Sequence, residues 1–137
     1  MRDQSTTEGG RMEGEAVQDR ARQRADELPG AGWEQPFGPE WDVCKVRGKV
    51  FMLMTDHHGE SIVTLKADPE VAKALQSEHV DITPGYHMNK RHWITLHPGG
   101  SITAALVDEL VTESYRLVVE KLPRVQRPVD PATFGLG

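Results

Sequence analysis

Three short apolar segments between residues 41 and 66 constrain the fold of this chain more than any other feature. They are rich in β-branched and aromatic residues, as strands are, and they read WDVCKV (41–46), KVFMLMT (49–55) and SIVTLK (61–66). Arg47 and Gly48 separate the first two and fit a two-residue hairpin loop, because glycine accepts a positive φ. DHHGE (56–60) fits a slightly longer loop. The pattern predicts an antiparallel meander of three strands.

Helical signals flank this meander. Asp68 and Pro69 predict the start of a helix that runs to about His79, because Asp caps free amide groups and proline suits the first helical position. Apolar residues at three- and four-residue spacing predict a first helix from Glu15 to Leu28 and a last one over about 102–122.

Two more strands are expected around DITPGYHM (81–88) and HWITL (92–96). Consecutive strands joined by tight turns favour antiparallel pairing, with helices covering one face of the sheet. The sequence therefore predicts an α+β fold of two layers, with a five-stranded antiparallel sheet and the order α-β3-α-β2-α. Residues 15–123 are expected to form one domain. Residues 1–14 are expected to be a disordered tail, and residues 124–137 an extended C-terminal tail.

Composition limits the partners and the compartment. The 137 residues carry a formal net charge of −5, whereas proteins that neutralise phosphates usually have a basic excess. Any binding to nucleic acid must therefore use a local basic patch. The single cysteine, Cys44, cannot form an internal disulfide, and no stretch approaches the roughly 20 apolar residues that span a bilayer. These features predict a cytoplasmic protein with no membrane partner, as a monomer or weak dimer.

The sequence contains no recognisable catalytic or metal-binding motif. Cys44 lies in a predicted strand, where a free cysteine is typically a small buried hydrophobe. The six histidines include no HExxH pattern, and one cysteine cannot supply a thiolate-rich zinc site. PGAG and HPGG lack the strand and helix context of a phosphate-binding loop. We therefore expect no catalytic residues, no metal and no cofactor.

Cationic and aromatic side chains concentrate at two predicted turns, and three interpretations remain open. Two adjacent cationic turns could hold DNA phosphates while Asn89 or Trp93 meets bases, and the candidate residues are Lys45, Arg47, Lys49, Lys66, Asn89, Lys90 and Arg91. A small ligand could instead bind at Tyr86, His87, Asn89, His92 and Trp93. In the third interpretation, the turn tips are polar because they are exposed, and Trp93 belongs to the core.

Several segments, in this order and spacing, carry a family resemblance. They are PFG, KVRGKVFMLM, VTLKADPEVAKALQ, ITPGYHMNKRHWITL and SYRLVVEKLP. From about Gly30 to Pro123 the chain resembles the YjbR/MmcQ-like family of small bacterial proteins. The resemblance implies an α-β3-α-β2-α fold that is compared with frataxin (CyaY-like) and with secretion chaperones. It supplies no catalytic residue or cofactor. It implies these signature positions: Lys45, Gly48, Lys49, Lys66, His87, Asn89, Lys90, His92 and Trp93.

The function expected from the residues and the resemblance is non-enzymatic binding. The family is commonly labelled as DNA-binding, with two cationic turns acting as wings. The alternative partner is a protein or peptide, which the secretion-chaperone-like shape favours and which an exposed sheet face or edge could accept.

Overall fold

The computed structural model describes residues 16–86 and 88–135, so the disordered tail expected over 1–14 concerns residues outside it. The elements in chain order are α1 (Ala16–Asp26), β1 (Ala31–Glu34), β2 (Asp42–Val46), β3 (Lys49–His57), β4 (Glu60–Lys66), α2 (Pro69–Glu78), β5 (Ile82–Pro84), β6 (Trp93–Leu96) and α3 (Ala104–Glu120), with a 3₁₀ turn at Arg124–Gln126. Among the described helices, none combines the length and apolar character needed to cross a bilayer.

The sheet is antiparallel and has the strand order β1-β2-β3-β4-β6-β5. The α+β class is confirmed, but the prediction of five strands is wrong because β1 adds a sixth. β1 pairs with β2 from Ala31↔Val46 to Glu34↔Val43. Its four residues lie within a stretch rich in proline and glycine, so no local signal distinguishes it from a connector. Pairing with the edge of β2 is what makes it a strand.

The helices cover one face of this sheet. α1 packs on α3 through Val17, Ala21 and Ala25, which are spaced four residues apart and are fully buried. α3 contributes a wider stripe that includes Val111 and Tyr115. Small residues on α1 let the two helices approach closely over the centre of the sheet. This face forms the main core.

Ser114 of α3 reaches into the sheet. Phe51 has no β2 partner, because Cys44 pairs with Met52 while Lys45 pairs with Val50, which is a β-bulge. The Ser114 hydroxyl donates to the Phe51 carbonyl at 2.6 Å and accepts from the Lys66 amide at 2.9 Å. It bridges β3 and β4 just beyond their last direct pair, Met52↔Leu65. This contact fixes the end of β4, where Lys66 lies.

Residues 124–135 are folded against the body, unlike the extended tail that the sequence predicts over 124–137. The Phe134 ring lies 5.6 Å from the Tyr115 ring, and the Arg116 guanidinium donates to the Pro131 carbonyl. Val129 and Phe134 pack on the main core. The residues that make these contacts lie in short turns that contain proline. Such turns have no helical or strand periodicity, so the sequence does not predict the contacts.

Candidate nucleic-acid interface

Strand register brings the two cationic segments to the same end of the sheet. β4 ends at Lys66, whose partner in β6 is Trp93, the first residue of that strand. The β2–β3 hairpin turn, Arg47–Gly48, projects from this end, and both turn residues have positive φ. The segment 85–92 joins β5 to β6 at the same end, with β4 between it and the hairpin. The two tips therefore lie at the same end of the sheet. They belong to strands that are not neighbours, because β4 separates them.

The hairpin cations have different partners. Lys45 forms an ion pair with Glu34 at 3.0 Å, which neutralises it. The Arg47 guanidinium donates to the Gln126 carbonyl at 2.8 Å and ties the hairpin to the C-terminal segment. Lys49 is exposed and has no ion pair within the described ranges. Of the three predicted hairpin contacts, Lys49 is the one that no hydrogen bond or ion pair engages within the described residues.

The segment 85–92 is held by its own hydrogen bonds. The Asn89 carboxamide oxygen accepts from the Arg91 amide at 2.9 Å, and the Lys90 ammonium donates to the Gly85 carbonyl at 3.1 Å. Trp93 is only 7% exposed and packs with Val43 and Leu53 on the face opposite the helices. These contacts favour a role in the turn for Asn89 and in a core for Trp93 over the reading of bases.

Among the residues predicted for a small ligand, Tyr86 and Trp93 are both close to Trp41, which stacks on Tyr86 and packs against the cluster that contains Trp93. The Tyr86 ring lies 4.1 Å from His57 and 6.2 Å from Trp41, over the sheet face opposite the helices. His92 lines a cleft with Lys66, and Asn89 and Trp93 have the structural contacts given above. His87 lies outside the described residues. The aromatic group of Trp41, His57, His58 and Tyr86 was missed because its members come from three separate segments.

Two clefts flank the connection between β4 and α2, and both contain cations. One, of about 310 Å³, is lined by Lys73, Lys90 and Arg91 together with Glu70. The other, of about 360 Å³, contains Lys66, His92 and Lys121 together with Asp68 and Glu120. Lys73 and Lys121 have no sequence signal for such a role, because only the docking of α2 and α3 places them there.

Lys66 has the most perturbed environment of these cations. Its ammonium lies 5.3 Å from the centre of the Trp93 ring, a distance typical of a cation–π contact. Burial is the main cause of a lowered pKa for Lys66, and repulsion from Lys121 lowers this pKa further. An anion beside both groups would remove that repulsion.

Basic side chains outnumber acidic ones at the end of the sheet where β4 finishes, although Asp68, Glu70 and Glu120 also line the two clefts there. We define the basic end as Arg47, Lys49, Lys66, Lys73, Lys90, Arg91 and Lys121. The opposite end carries Asp56 and Glu60 at the β3–β4 turn, Glu40 beside Thr55, and Asp81 before β5. Cations elsewhere are largely paired, as with Arg20 and Asp108, Arg22 and Asp42, and Arg116 and Glu113.

Metal-binding groups do not assemble in the described ranges, and the Cys44 thiol is buried. No set of three or more His, Cys, Asp or Glu side chains is placed to bind a metal ion there. Burial raises the pKa of the Cys44 thiol to about 12, so the thiolate that would act as a nucleophile is suppressed at neutral pH.

Comparison with known proteins gives consistent matches. A family model described as YjbR matches residues 26–117. The uncharacterized protein YbdF of Escherichia coli O157:H7 is 42% identical over 121 residues, covering 88% of this chain and 99% of that protein. The uncharacterized protein YjbR of Escherichia coli K12 is 35% identical over 101 residues, covering 72% and 84%.

Solved structures match the fold. The crystal structure of the Deinococcus radiodurans protein DR2400 has a TM-score of 0.75 and 34% identity, and the match covers 85% of this chain and 86% of that one. The crystal structure of a Pseudomonas syringae protein has a TM-score of 0.61 and 26% identity, covering 72% and 92%.

Proposed function

We propose a function from two premises: the chain belongs to the YjbR family, and several basic side chains that form no ion pair within the described residues gather at one end of the sheet. The proposed function is non-enzymatic binding of DNA through that basic end. The observation that carries it is the contrast in pairing. Lys49, Lys66, Lys73, Lys90, Arg91 and Lys121 form no ion pair within the described ranges, whereas arginines of α1 and α3 do.

The net charge of −5 does not argue against DNA binding if the contact is made by a local group of cations. A phosphate near the basic end experiences the local cations most strongly, because charges more than about 10 Å away are largely screened at 0.1 M salt. The carboxylates of the opposite end lie several strand residues away, each adding about 3.3 Å. They would orient the protein on DNA rather than prevent binding.

The proposed mode of binding is backbone contact without base reading. Lysine and arginine contacts to phosphates fix position but carry no sequence information. Asn89 and Trp93 are committed to the turn and to the smaller core. We therefore expect DNA of different sequences to bind with similar affinity.

A salt titration tests the proposal. Fluorescence anisotropy with a short labelled duplex should give an affinity that falls steeply with salt, with a slope of about 0.9 for each phosphate contacted. Combining Lys49→Gln with Lys90→Gln should lower that slope by about two and weaken binding at low salt.

Lys45→Gln is the matched control, because Lys45 lies on the same hairpin but is already paired with Glu34. It should change the slope much less than Lys49→Gln. The proposal fails if the unaltered protein does not bind at low salt, or if the double variant binds as tightly as the unaltered protein.

A further inference from the structure

The cleft between the β4–α2 connection and the C-terminal end of α3 is one of the two concave sites at the basic end. Its volume of about 360 Å³ lies in the range of pockets that hold small ligands. The lining residues are Lys66, Ala67, Asp68, Pro69, His92, Leu117, Glu120 and Lys121. A backbone contact needs only a surface, whereas a cleft can enclose an end group.

Two lysines share this cleft without a neutralising partner. Lys66 is held in place by the β4–β6 pairing and by the face of Trp93. Lys121 follows the last turn of α3, where its amide donates to the Val118 and Val119 carbonyls. Neither ammonium lies within 4 Å of a carboxylate in the described part of the chain. Burial and mutual repulsion both disfavour the charged form of Lys66, as its lowered pKa indicates.

The acidic side chains in the cleft do not offset these charges equally. The Asp68 carboxylate accepts from the Glu70 amide at 3.0 Å and caps α2, so it is turned toward that helix. Glu120 is exposed, and no described ion pair joins it to either lysine. The exposed imidazole of His92 adds a hydrogen-bond donor to the lining of the cleft.

We infer that this cleft binds a phosphate monoester, the terminal phosphate of a nucleic-acid strand or of a small phosphorylated molecule. A monoester carries a charge of about −1.5 to −2 at pH 7, which matches two ammonium groups better than the single charge of an internal diester does. Lys66 and Lys121 supply the charge, and His92 supplies a further donor. The strand-end form of this inference rests on the proposed DNA binding, whereas the small-molecule form does not.

The experiment compares one oligonucleotide in three forms, with a 5′-phosphate, a 3′-phosphate or hydroxyls at both ends. At least one phosphorylated form should bind about tenfold tighter than the hydroxyl form, as charge-assisted hydrogen bonds would give. Lys121→Gln should abolish the difference, because it removes one of the two charges from an exposed position. Glu120→Gln should enlarge it by removing a carboxylate that lines the cleft.

Two controls test whether the effect belongs to this cleft and whether it depends on the phosphate group. Lys73→Gln changes the other cleft and should weaken all forms by the same factor. Ribose 5-phosphate should compete away the advantage of the phosphorylated oligonucleotide, while ribose should not. Lys66→Gln should act like Lys121→Gln, and the exposed Lys121 keeps the test decisive if the Lys66 variant fails to fold.

The outcomes separate the two proposals. Equal affinities for all three forms, together with failure of ribose 5-phosphate to bind, would overturn the monoester site and leave salt-dependent DNA binding intact. Binding of ribose 5-phosphate that Lys121→Gln abolishes, in a protein that does not bind DNA at low salt, would support the site and overturn the proposed function. Binding that Lys121→Gln leaves unchanged would overturn the placement in this cleft.

Discussion

Ser114 shows how a single hydroxyl can terminate a strand pair. It bridges the Phe51 carbonyl and the Lys66 amide, and its side chain is fully buried. Ser114→Ala leaves both buried backbone groups unsatisfied, so we expect a loss of about 1–3 kcal/mol in the free energy of unfolding. Urea unfolding measures this, with Ser77→Ala on the exposed side of α2 as the control. A loss no larger than that of the control would show that water replaces the hydroxyl.

Gly85 marks the place where the segment 85–92 crosses closest to β6. A Cβ atom at this position would lie 2.5 Å from Trp93 Cβ and 3.0 Å from the Trp93 backbone. Gly85→Ala must therefore displace the segment from the strand, and we expect a destabilisation of about 1–3 kcal/mol. Gly32→Ala is the control, because a Cβ there meets nothing within 4 Å. Chemical denaturation that finds the two variants equally stable would contradict this packing.

Local sequence signals predict elements well where the element can be recognised without its neighbours. The meander, the Asp68–Pro69 helix start and the apolar stripe of α3 all have their own periodicity or capping residues. β1 has neither, and it forms because β2 offers an unpaired edge. The same distinction applies to the candidate interface. The cations of the two turns are visible in the sequence, whereas Lys73 and Lys121 join them only through helix docking.

The C-terminal segment is an element whose contacts, rather than its own regularity, hold it in place. The Phe134 ring packs against Tyr115, and the segment also supplies the carbonyl that Arg47 binds. Phe134→Ala should lower the free energy of unfolding by about 1–3 kcal/mol, less than a fully buried phenylalanine because the ring is partly exposed.

Val125→Ala is the control for this prediction, since Val125 is 93% exposed and should contribute little. If Phe134→Ala leaves the midpoint of urea unfolding unchanged, the segment does not stabilise the body. In that case, its position would depend on its other contacts, such as the Arg47 and Arg116 hydrogen bonds and the packing of Val129.

At the scale of the whole molecule, the arrangement of charge distinguishes this protein from one that binds through net charge. The basic end and the carboxylates of Glu40, Asp56 and Glu60 occupy opposite ends of the same strands. A chain with the same composition but mixed charges would present no surface for a polyanion. The proposed function therefore depends on where the charges lie, and this can be tested by changing net charge at each end separately.

Glu40→Gln with Asp56→Asn would change the net charge from −5 to −3 at the acidic end, whereas Lys49→Gln with Lys90→Gln would change it from −5 to −7 at the basic end. If DNA contacts only the basic end, the acidic-end variant should keep the salt slope and at most associate faster, because long-range attraction affects the association rate. The basic-end variant should lose about two from the slope. Slopes measured by anisotropy over a range of salt concentrations compare the two. A slope that instead follows net charge, whichever end is changed, would mean that DNA has no fixed contact surface on this protein.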